Sequence, residues 1–291
     1  MKNSKMYGNI STIETMGLVD GPGIRVVVFM QGCTLRCLYC HNPETWESKD
    51  NKIISVDELI EKILKYKNYI QKHGGVTFSG GEPLLQSKFI FECSKRLKQE
   101  GLHVCIDTSG IGYDYNELIE NVDLVILDVK SIREDEYKYI TGHTIEKYNQ
   151  FLTDVQKINV KIWLRQVIVP GINDDEEHII ELANYAKSLK NIEKVELLPY
   201  RSYCENKYVS LNIKYKLKDV DDLGKEKEQY LNEILKKKDC VDRHSPLVYA
   251  RSFSSAARRT ASVNTDIARA RSASEGYEGA RRRFLSSGST P

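Results

Sequence analysis

At 291 residues, with 41% hydrophobic and 29% charged residues, the chain is long and apolar enough for one large folded domain or two small ones. This composition excludes wholesale disorder and a collagen-like repeat. No apolar run approaches the ~20 residues of a membrane-spanning helix, and residues 1–11 lack the apolar stretch of a secretory signal. Seven cysteines without an export signal predict a cytoplasmic location, where clustered cysteines indicate metal or redox chemistry.

The basic residues change type abruptly near residue 239. All 28 lysines precede that point together with six arginines, whereas residues 240–291 carry nine arginines and no lysine. The net charge is −3 over residues 1–239 and +5 over residues 240–291. We predict a folded domain over 1–239 and an Arg/Ser/Ala-rich tail over 240–291 that is disordered or non-native. A basic arm for nucleic acid or membrane is the alternative, but no aromatic platform or apolar stripe accompanies the charge.

Strand-like and helix-like segments alternate before the tail. The predicted strands are apolar, β-branched runs at residues 26–30, 76–79, 104–107, 124–128, 161–169 and 194–199. The predicted helices begin after a cap at Ser55, with Glu58 at the third position, and continue at residues 89–100, 145–158, 175–189 and 225–238. This alternation predicts an α/β fold with a mainly parallel sheet. Six units are too few for a closed eight-fold barrel, so we expect a partial (β/α)6 open barrel.

Three cysteines follow the first predicted strand on one short loop. Cys33, Cys37 and Cys40 can supply three thiolates to one iron–sulfur cluster and leave one iron without a protein ligand, as a catalytic site requires. A structural zinc site is an alternative, although His41 directly abuts Cys40 and would strain to become the fourth ligand. Residues 37–41 also match the haem attachment pattern, which belongs with export.

The cysteine spacing becomes more specific together with a second motif. Residues 79–83, Ser-Gly-Gly-Glu-Pro, follow the second predicted strand. Two glycines alone are typical of a tight turn. With the Cys-x3-Cys-x2-Cys loop they resemble the radical S-adenosylmethionine (SAM) enzymes. The resemblance implies a radical-SAM-type partial barrel, a [4Fe–4S] cluster whose open iron is chelated by SAM, and one-electron cleavage of SAM to a 5′-deoxyadenosyl radical.

Further motifs resemble the activating enzymes of glycyl radical enzymes. They lie at residues 20–25, 31–33, 39–43, 45–46, 124–130, 169–171 and 196–200, and the similarity covers roughly residues 8–238. Many activating enzymes of this family carry extra cysteines before the Gly-Gly-Glu motif, but residues 41–79 contain none. This absence favours the type whose partner is pyruvate formate-lyase. The resemblance implies that the chain forms a radical on a glycine of that protein.

The resemblance also implies the roles of individual residues. Cys33, Cys37 and Cys40 would hold the cluster. The predicted SAM contacts are Tyr39, His41, Gly80, Gly81, Glu82, Asp128, Val129 and Lys130. Asp107 and Thr108, with the backbone carbonyl of Ile126, resemble the ligands of a monovalent cation. Without the resemblance, a lone Asp or Lys at a strand end is typical of a solvated group or a helix cap.

For three further residues the sequence allows more than one role. The resemblance implies that Asp20, in an Asp-Gly-Pro-Gly turn, binds the backbone of the partner's glycine loop, although the residue taken alone is more typical of a turn former. Arg165 would pair with a carboxylate at the strand ends, as a SAM contact or as a structural salt bridge. Arg201 stands where the family usually has a histidine that touches SAM, and Cys204 stands where a glycine is usual.

The resemblance implies a flavodoxin-like or other low-potential electron donor, and we expect a monomer without nucleic-acid or membrane partners. An activating enzyme of a different glycyl radical enzyme, or a radical SAM enzyme acting on a small molecule, remains an alternative. A non-catalytic iron–sulfur or zinc module is a third.

Overall fold

The structure, a computed structural model, describes residues 5–48 and 52–238. The tail that the sequence predicts over residues 240–291 therefore lies outside the described residues. The predicted domain boundary near residue 239 stays a prediction for the same reason.

One sheet organises the described residues. Its eight strands are β1 (Tyr7–Gly17), β2 (Arg25–Met30), β3 (Lys52–Ser55), β4 (Gly75–Gly80), β5 (His103–Thr108), β6 (Leu124–Asp128), β7 (Lys161–Ile168) and β8 (Ile192–Pro199). The order is β3-β1-β2-β4-β5-β6-β7-β8, so β3 and β8 are edges and the sheet does not close. β2 and β4 to β8 pair in parallel, whereas β1 pairs antiparallel with β2 and β3. The partial barrel of six parallel strands is confirmed, and two unpredicted antiparallel strands extend one edge.

In the described part of the chain, seven α-helices lie in the connections between the strands and two more follow β8. They are α1 (Val56–Leu64), α2 (Lys67–Ile70), α3 (Ser87–Gln99), α4 (Asn116–Asn121), α5 (Glu134–Thr141), α6 (Glu146–Val155), α7 (Glu176–Ser188), α8 (Glu205–Ser210) and α9 (Lys225–Lys237). The predicted cap at Ser55 is confirmed as a capping box, because the Ser55 and Glu58 side chains each bond the other's backbone N–H. None of the helices in the described ranges has the length and apolar character to cross a bilayer.

Both faces of β2, β4, β5 and β6 are largely buried, which explains why their sequences are apolar with little alternation. Val28, Phe78 and Ile106 are fully buried in the main core with the helices. Cys105 and Ile126 belong to a second cluster that includes no helix residue. Burial of one such side chain stabilises the fold by roughly 1.5–3 kcal/mol. Because these strands run in parallel, their carboxyl ends share one edge, where the candidate site lies.

A fully buried arginine, Arg25, lies at the amino-terminal ends of β2, β4 and β5. Its guanidinium donates to Thr77 Oγ1 at 2.5 Å, to the Val76 carbonyl at 2.6 Å and to the Pro22 carbonyl at 2.9 Å. The His103 Nδ1 atom lies 3.4 Å from the same guanidinium. Burial, and then the Arg25 charge, lower the pKa of His103 from 6.5 to about 4.

We expect His103 to make the folded chain sensitive to mild acid. Because its pKa is lower in the folded state, the unfolded chain binds more protons between pH 6.5 and 4. The free energy of unfolding should therefore fall by about 2–3 kcal/mol as the pH drops through that window. Urea unfolding at stepped pH should show this slope in the full chain and a flatter one in His103→Gln. His73→Gln, at an exposed histidine, is the control, and equal slopes in all three proteins would contradict the prediction.

Candidate active site

A cavity of about 440 Å³ opens at the carboxyl ends of the parallel strands. It brings together most of the residues singled out by the sequence: Asp20, Cys33, Cys37, Tyr39, Cys40, His41, Gly80, Gly81, Asp107, Thr108, Asp128, Lys130 and Arg165. Ile126, Glu82, Val129 and Arg201 are not among the lining residues. The predicted site residues therefore share one cavity, with these four exceptions.

The cysteines belong to residues 31–46, which we call the cysteine loop. The loop leaves β2 and is anchored to the end of α5, since the N–H groups of Arg36 and Leu38 donate to α5 carbonyls at 2.9 Å each. Leu35 and Leu38 are buried and anchor the loop through their side chains. The N–H of Cys33 also donates to the Trp46 carbonyl at 3.2 Å, which joins the two ends of the loop. An irregular segment is thereby held in one conformation.

The three thiols are buried and close enough to influence one another. Burial raises the pKa of Cys33 to about 12, and the neighbouring Glu82, Cys37 and Cys40 groups add to the effect. Burial likewise raises the pKa of Cys37 to about 11 and that of Cys40, where hydrogen bonds from Asn42 and Trp46 oppose it. Such thiols stay protonated alone and ionise when a cation binds them. The donor set therefore suits a positively charged iron–sulfur centre.

The number of donors bears on whether the site suits one metal ion or a cluster. Over residues 5–48 and 52–238, no group of three His, Cys, Asp or Glu side chains is placed to hold a metal ion. A zinc site would need four donors around one point. A [4Fe–4S] cluster takes one ligand at each iron, and three thiols that line one cavity suit such a cluster with one iron left open.

Gly80 and Gly81 line the cavity, but packing also requires them to be glycines. A Cβ on Gly80, which has φ +103°, would lie 2.4 Å from the Met30 nitrogen. A Cβ on Gly81 would lie 2.3 Å from the Gly32 carbonyl oxygen. The N–H of Gly81 meanwhile donates to the Met30 carbonyl at 2.9 Å. The turn interpretation and the ligand interpretation of this motif are therefore compatible.

An ion pair lies beside the cysteine loop where β6 ends. Lys130 Nζ donates to Asp128 Oδ2 at 2.7 Å and lies 5.7 Å from the centre of the Tyr39 ring. Burial disfavours the Lys130 charge, but Asp128, Tyr39 and Cys37 together outweigh it and raise the pKa of Lys130 well above its usual value. The buried Tyr39 hydroxyl has no hydrogen-bond partner among the described residues. The cavity thus offers an ammonium group, a carboxylate and an unpartnered hydroxyl.

A second ion-pair network lies at the ends of β5, β7 and β8. The Arg165 guanidinium approaches Asp107 Oδ2 at 3.4 Å and Glu196 Oε2 at 3.2 Å, and donates to the Val19 carbonyl at 2.8 Å. Burial raises the pKa of Asp107 to about 7, and Arg165 opposes the rise. Arg165 is thus both a cavity residue and a member of a salt-bridge network.

Asp20 lies in the turn between β1 and β2. Its backbone carbonyl accepts a hydrogen bond from Thr77 Oγ1 at 2.6 Å. Burial raises the pKa of its carboxyl group, and the Arg165 charge opposes the rise. The turn is therefore fixed through its backbone, and the Asp20 side chain still faces the cavity.

Three of the predicted residues that do not line the cavity are buried in the structure around it. The Glu82 carboxylate accepts hydrogen bonds from the backbone N–H groups of Leu84 and Ser109 and from the hydroxyls of Thr108 and Ser109. Val129 belongs to the main core, and Ile126 lies in β6 between β5 and β7. Glu82 thereby joins the ends of β4 and β5.

Arg201 turns its side chain away from the cavity. Its guanidinium donates to the Leu223 carbonyl and approaches Glu228 Oε2 of α9 at 3.0 Å. Its backbone carbonyl instead accepts a hydrogen bond from His41 Nε2 at 2.8 Å. The Arg201 side chain is therefore placed to anchor α9, and its main chain orients His41.

We expect Arg201→Ala to weaken the fold but not the binding of SAM. The substitution removes the bonds to Leu223 and Glu228 and should lower the free energy of unfolding by about 1 kcal/mol, since the pair is partly exposed. The Kd for SAM on the cluster-loaded protein should stay within about twofold of the wild-type value. Asp128→Asn, at a cavity residue, checks that the binding assay responds. A large loss of SAM affinity in Arg201→Ala would show a direct contact instead.

The sequence did not single out several cavity residues as site residues. Trp46 lines the cavity beside Cys40, and Ser79 donates to Asp107 Oδ2 at 3.0 Å. Val167 and Leu198 supply an apolar wall from β7 and β8. Trp46 and Ser79 lie inside quoted motifs, which was an available signal. The apolar residues look like ordinary strand residues.

Comparison with known proteins assigns this arrangement to a family. Residues 27–183 match the family model described as the radical SAM superfamily. The chain is 51% identical over 236 residues to a protein of Clostridium pasteurianum named pyruvate formate-lyase-activating enzyme, covering 79% of this chain and 99% of that one. It is 42% identical over 241 residues to a Staphylococcus epidermidis protein of the same name, covering 78% and 96%.

A solved structure shares the fold. That of Streptococcus suis SuiB bound to precursor peptide SuiA has a TM-score of 0.56 at 15% identity, covering 74% of this chain and 47% of that one. At this identity the likeness concerns the fold alone.

Proposed function

The chain belongs to the radical SAM superfamily and, within it, to the pyruvate formate-lyase-activating enzymes, and we propose that it activates pyruvate formate-lyase by forming a radical on one of its glycines. The observation that carries the proposal is that three cysteine thiols share one cavity with residues of all six parallel strands. A [4Fe–4S] cluster held by these cysteines would supply the one electron that cleaves SAM, and the 5′-deoxyadenosyl radical so formed would take a hydrogen atom from the partner's glycine.

Cys33, Cys37 and Cys40 hold the cluster in this proposal. Their place on one loop and their position in the lining of one cavity support the assignment, and each thiol loses its proton on binding iron. The buried surroundings exclude water from the thiolates and thereby influence the potential of the cluster. This chain's own contribution is to hold three ligands and leave one iron open.

The mixed charges of the cavity support the binding of SAM, whose methionyl part carries an amino and a carboxylate group. Lys130 and Arg165 offer cationic groups, and Asp128 offers a carboxylate. Gly80 and Gly81 let the main chain approach the amino group, while Tyr39 and His41 lie along the adenosyl moiety. Glu82 and Val129 act indirectly, as supports of the strand ends.

A monovalent cation at Asp107 and Thr108, with the Ile126 carbonyl, is part of the same proposal. Asp107 pairs across the sheet with Ile126 in the register of β5 and β6, and Thr108 follows it at the strand end. A cation there would offset the carboxylate charges that burial disfavours. Potassium and sodium titrations of SAM binding test this part separately.

The open side of the barrel suits a protein substrate. Because β3 and β8 do not pair, the cavity can admit a loop of the partner. Asp20 faces the cavity and would accept hydrogen bonds from the N–H groups of the glycine loop. We further propose a flavodoxin or similar low-potential electron donor, a monomeric chain and a cytoplasmic location.

The test is an anaerobic electron paramagnetic resonance (EPR) assay. The reconstituted full chain is mixed with a reductant, SAM and inactive pyruvate formate-lyase, and the glycyl-radical doublet is measured. We expect a doublet that disappears when any component is omitted. SAM cleavage without a doublet would point to another glycyl radical enzyme. Cleavage that needs no protein partner would point to a small-molecule substrate.

A further inference from the structure

The short helix α8 contacts the carboxyl-terminal half of the cysteine loop. Tyr208 Oη donates to the Cys40 carbonyl at 3.0 Å. Lys207 Nζ donates to the His41 carbonyl at 2.8 Å, to Asn42 Oδ1 at 3.1 Å and to Glu44 Oε1 at 2.6 Å. Two adjacent side chains of α8 therefore bond four of the five residues from Cys40 to Glu44.

Packing holds the Tyr208 side chain of α8 in place, and hydrogen bonds hold the exposed Lys207 side chain. Tyr208 is only 3% exposed, and its ring meets Trp46 edge-on at a centroid distance of 5.8 Å and Tyr215 at 4.6 Å. Trp46 closes the far end of the cysteine loop and lines the cavity. The Tyr208 hydroxyl is thus aimed at Cys40 by a ring that cannot easily rotate away. Lys207 is held by three acceptors at once.

The two halves of the cysteine loop are fixed by different means. The segment near Arg36 and Leu38 is bonded through its own backbone to α5. The segment from Cys40 to Glu44 instead receives side chains from α8, which lies more than 160 residues later in the chain. Cys40 is the last of the three thiols, so a change in α8 would displace this ligand without moving Cys33.

We propose that Lys207 and Tyr208 are positioning residues that fix Cys40 and thereby determine how firmly the chain holds its cluster. This inference rests on the proposed function, because it assumes that Cys40 is a cluster ligand. Lys207 also forms an ion pair with Glu44 of the cysteine loop, so the two charges influence the electrostatic potential at the cluster. Neither residue touches SAM or the partner's glycine in this role.

The test measures cluster retention and the reduction potential in the reconstituted full chain. Tyr208→Phe keeps the ring and removes only the hydroxyl, and Lys207→Met keeps the length of the side chain. We expect each variant to lose iron to a chelator about fivefold faster than wild type, because Tyr208→Phe loses one partly buried hydrogen bond and Lys207→Met loses three that are exposed to solvent and individually weaker. Tyr203 and Lys216 flank α8 in the sequence and are exposed, so Tyr203→Phe and Lys216→Met are the matched controls.

The Lys207–Glu44 ion pair allows a second measurement, the midpoint potential of the cluster, which a purely structural role of Lys207 would leave unchanged. Lys207→Met leaves the Glu44 charge unpaired and should shift the cluster midpoint potential to more negative values. Glu44→Gln should shift it the opposite way, and Lys207→Arg should restore both retention and potential. These shifts should appear with unchanged thermal unfolding of the cluster-free chain.

The outcomes separate this inference from the proposed function. A wild-type chain that takes up no cluster would overturn both. A wild-type chain that holds a cluster, with variants that match it in iron loss and potential, would overturn the positioning role alone. Faster iron loss that tracks a fall in melting temperature in all variants, controls included, would do the same.

Discussion

Replacing Cys37 by serine is expected to abolish SAM cleavage. Cys37 lies in the middle of the cysteine loop, is buried, and lines the cavity beside Lys130. A serine hydroxyl does not ionise at neutral pH and is a poor ligand for iron, so one of the three protein ligands is lost. Two thiolates hold a cluster less firmly, and iron content after anaerobic reconstitution should fall with activity. Iron and sulfide analysis, EPR of the reduced protein and detection of 5′-deoxyadenosine measure the three consequences.

Cys93→Ala is the matched control for this prediction. Cys93 is fully buried in α3 within the main core and does not line the cavity. Its loss should cost some stability but leave cluster content and SAM cleavage intact. Cys105→Ala adds a second control, because Cys105 is fully buried in β5 and does not line the cavity. A Cys37→Ser protein with full cluster-dependent cleavage would contradict the assignment of the cluster ligands.

The inner parallel strands could be predicted because their sequences are largely apolar and β-branched. Both faces of the inner parallel strands are buried, so runs such as that of β6 are apolar and β-branched throughout, and this prediction matched β6 residue for residue. The two antiparallel strands β1 and β3 gave no such pattern. β1 is polar and largely exposed on one face, and β3 is only four residues long. β1 pairs with β2 and β3 pairs with β1, and local sequence does not report this pairing.

The sequence predicted which residues gather at the cavity but not where each side chain points. Strand ends in a parallel sheet share one edge, which is why Asp107, Asp128 and Arg165 meet. The direction of Arg201 depends on Glu228, which lies 27 residues later on α9. The support from α8 was missed because a helix of six residues has too little periodicity to predict. Long-range packing, not local pattern, decides both.

Glu82, the glutamate of the Gly-Gly-Glu motif, allows a test of whether a site residue supports the strand ends or contacts SAM directly. Glu82 is 1% exposed, and its carboxylate accepts four hydrogen bonds that join the ends of β4 and β5. Burial raises the pKa of Glu82, and hydrogen bonds from Ser109, Thr108 and Leu84 oppose the rise. Glu82→Leu would leave the buried donors of Thr108 and Ser109 unpaired. We expect it to lower the free energy of unfolding of the cluster-free chain by about 3–5 kcal/mol, measured in urea.

Glu82→Gln tests the same idea with less disruption. Its amide oxygen can still accept, but its NH₂ group faces donors, so the loss should be about half as large. Glu120→Gln, at an exposed position of α4, should leave stability unchanged. Loss of SAM affinity in proportion to lost stability would support an indirect role, because the strand ends that carry Gly81 and Thr108 would move. A Glu82→Gln protein as stable as wild type that no longer binds SAM would instead place the carboxylate in direct contact with SAM.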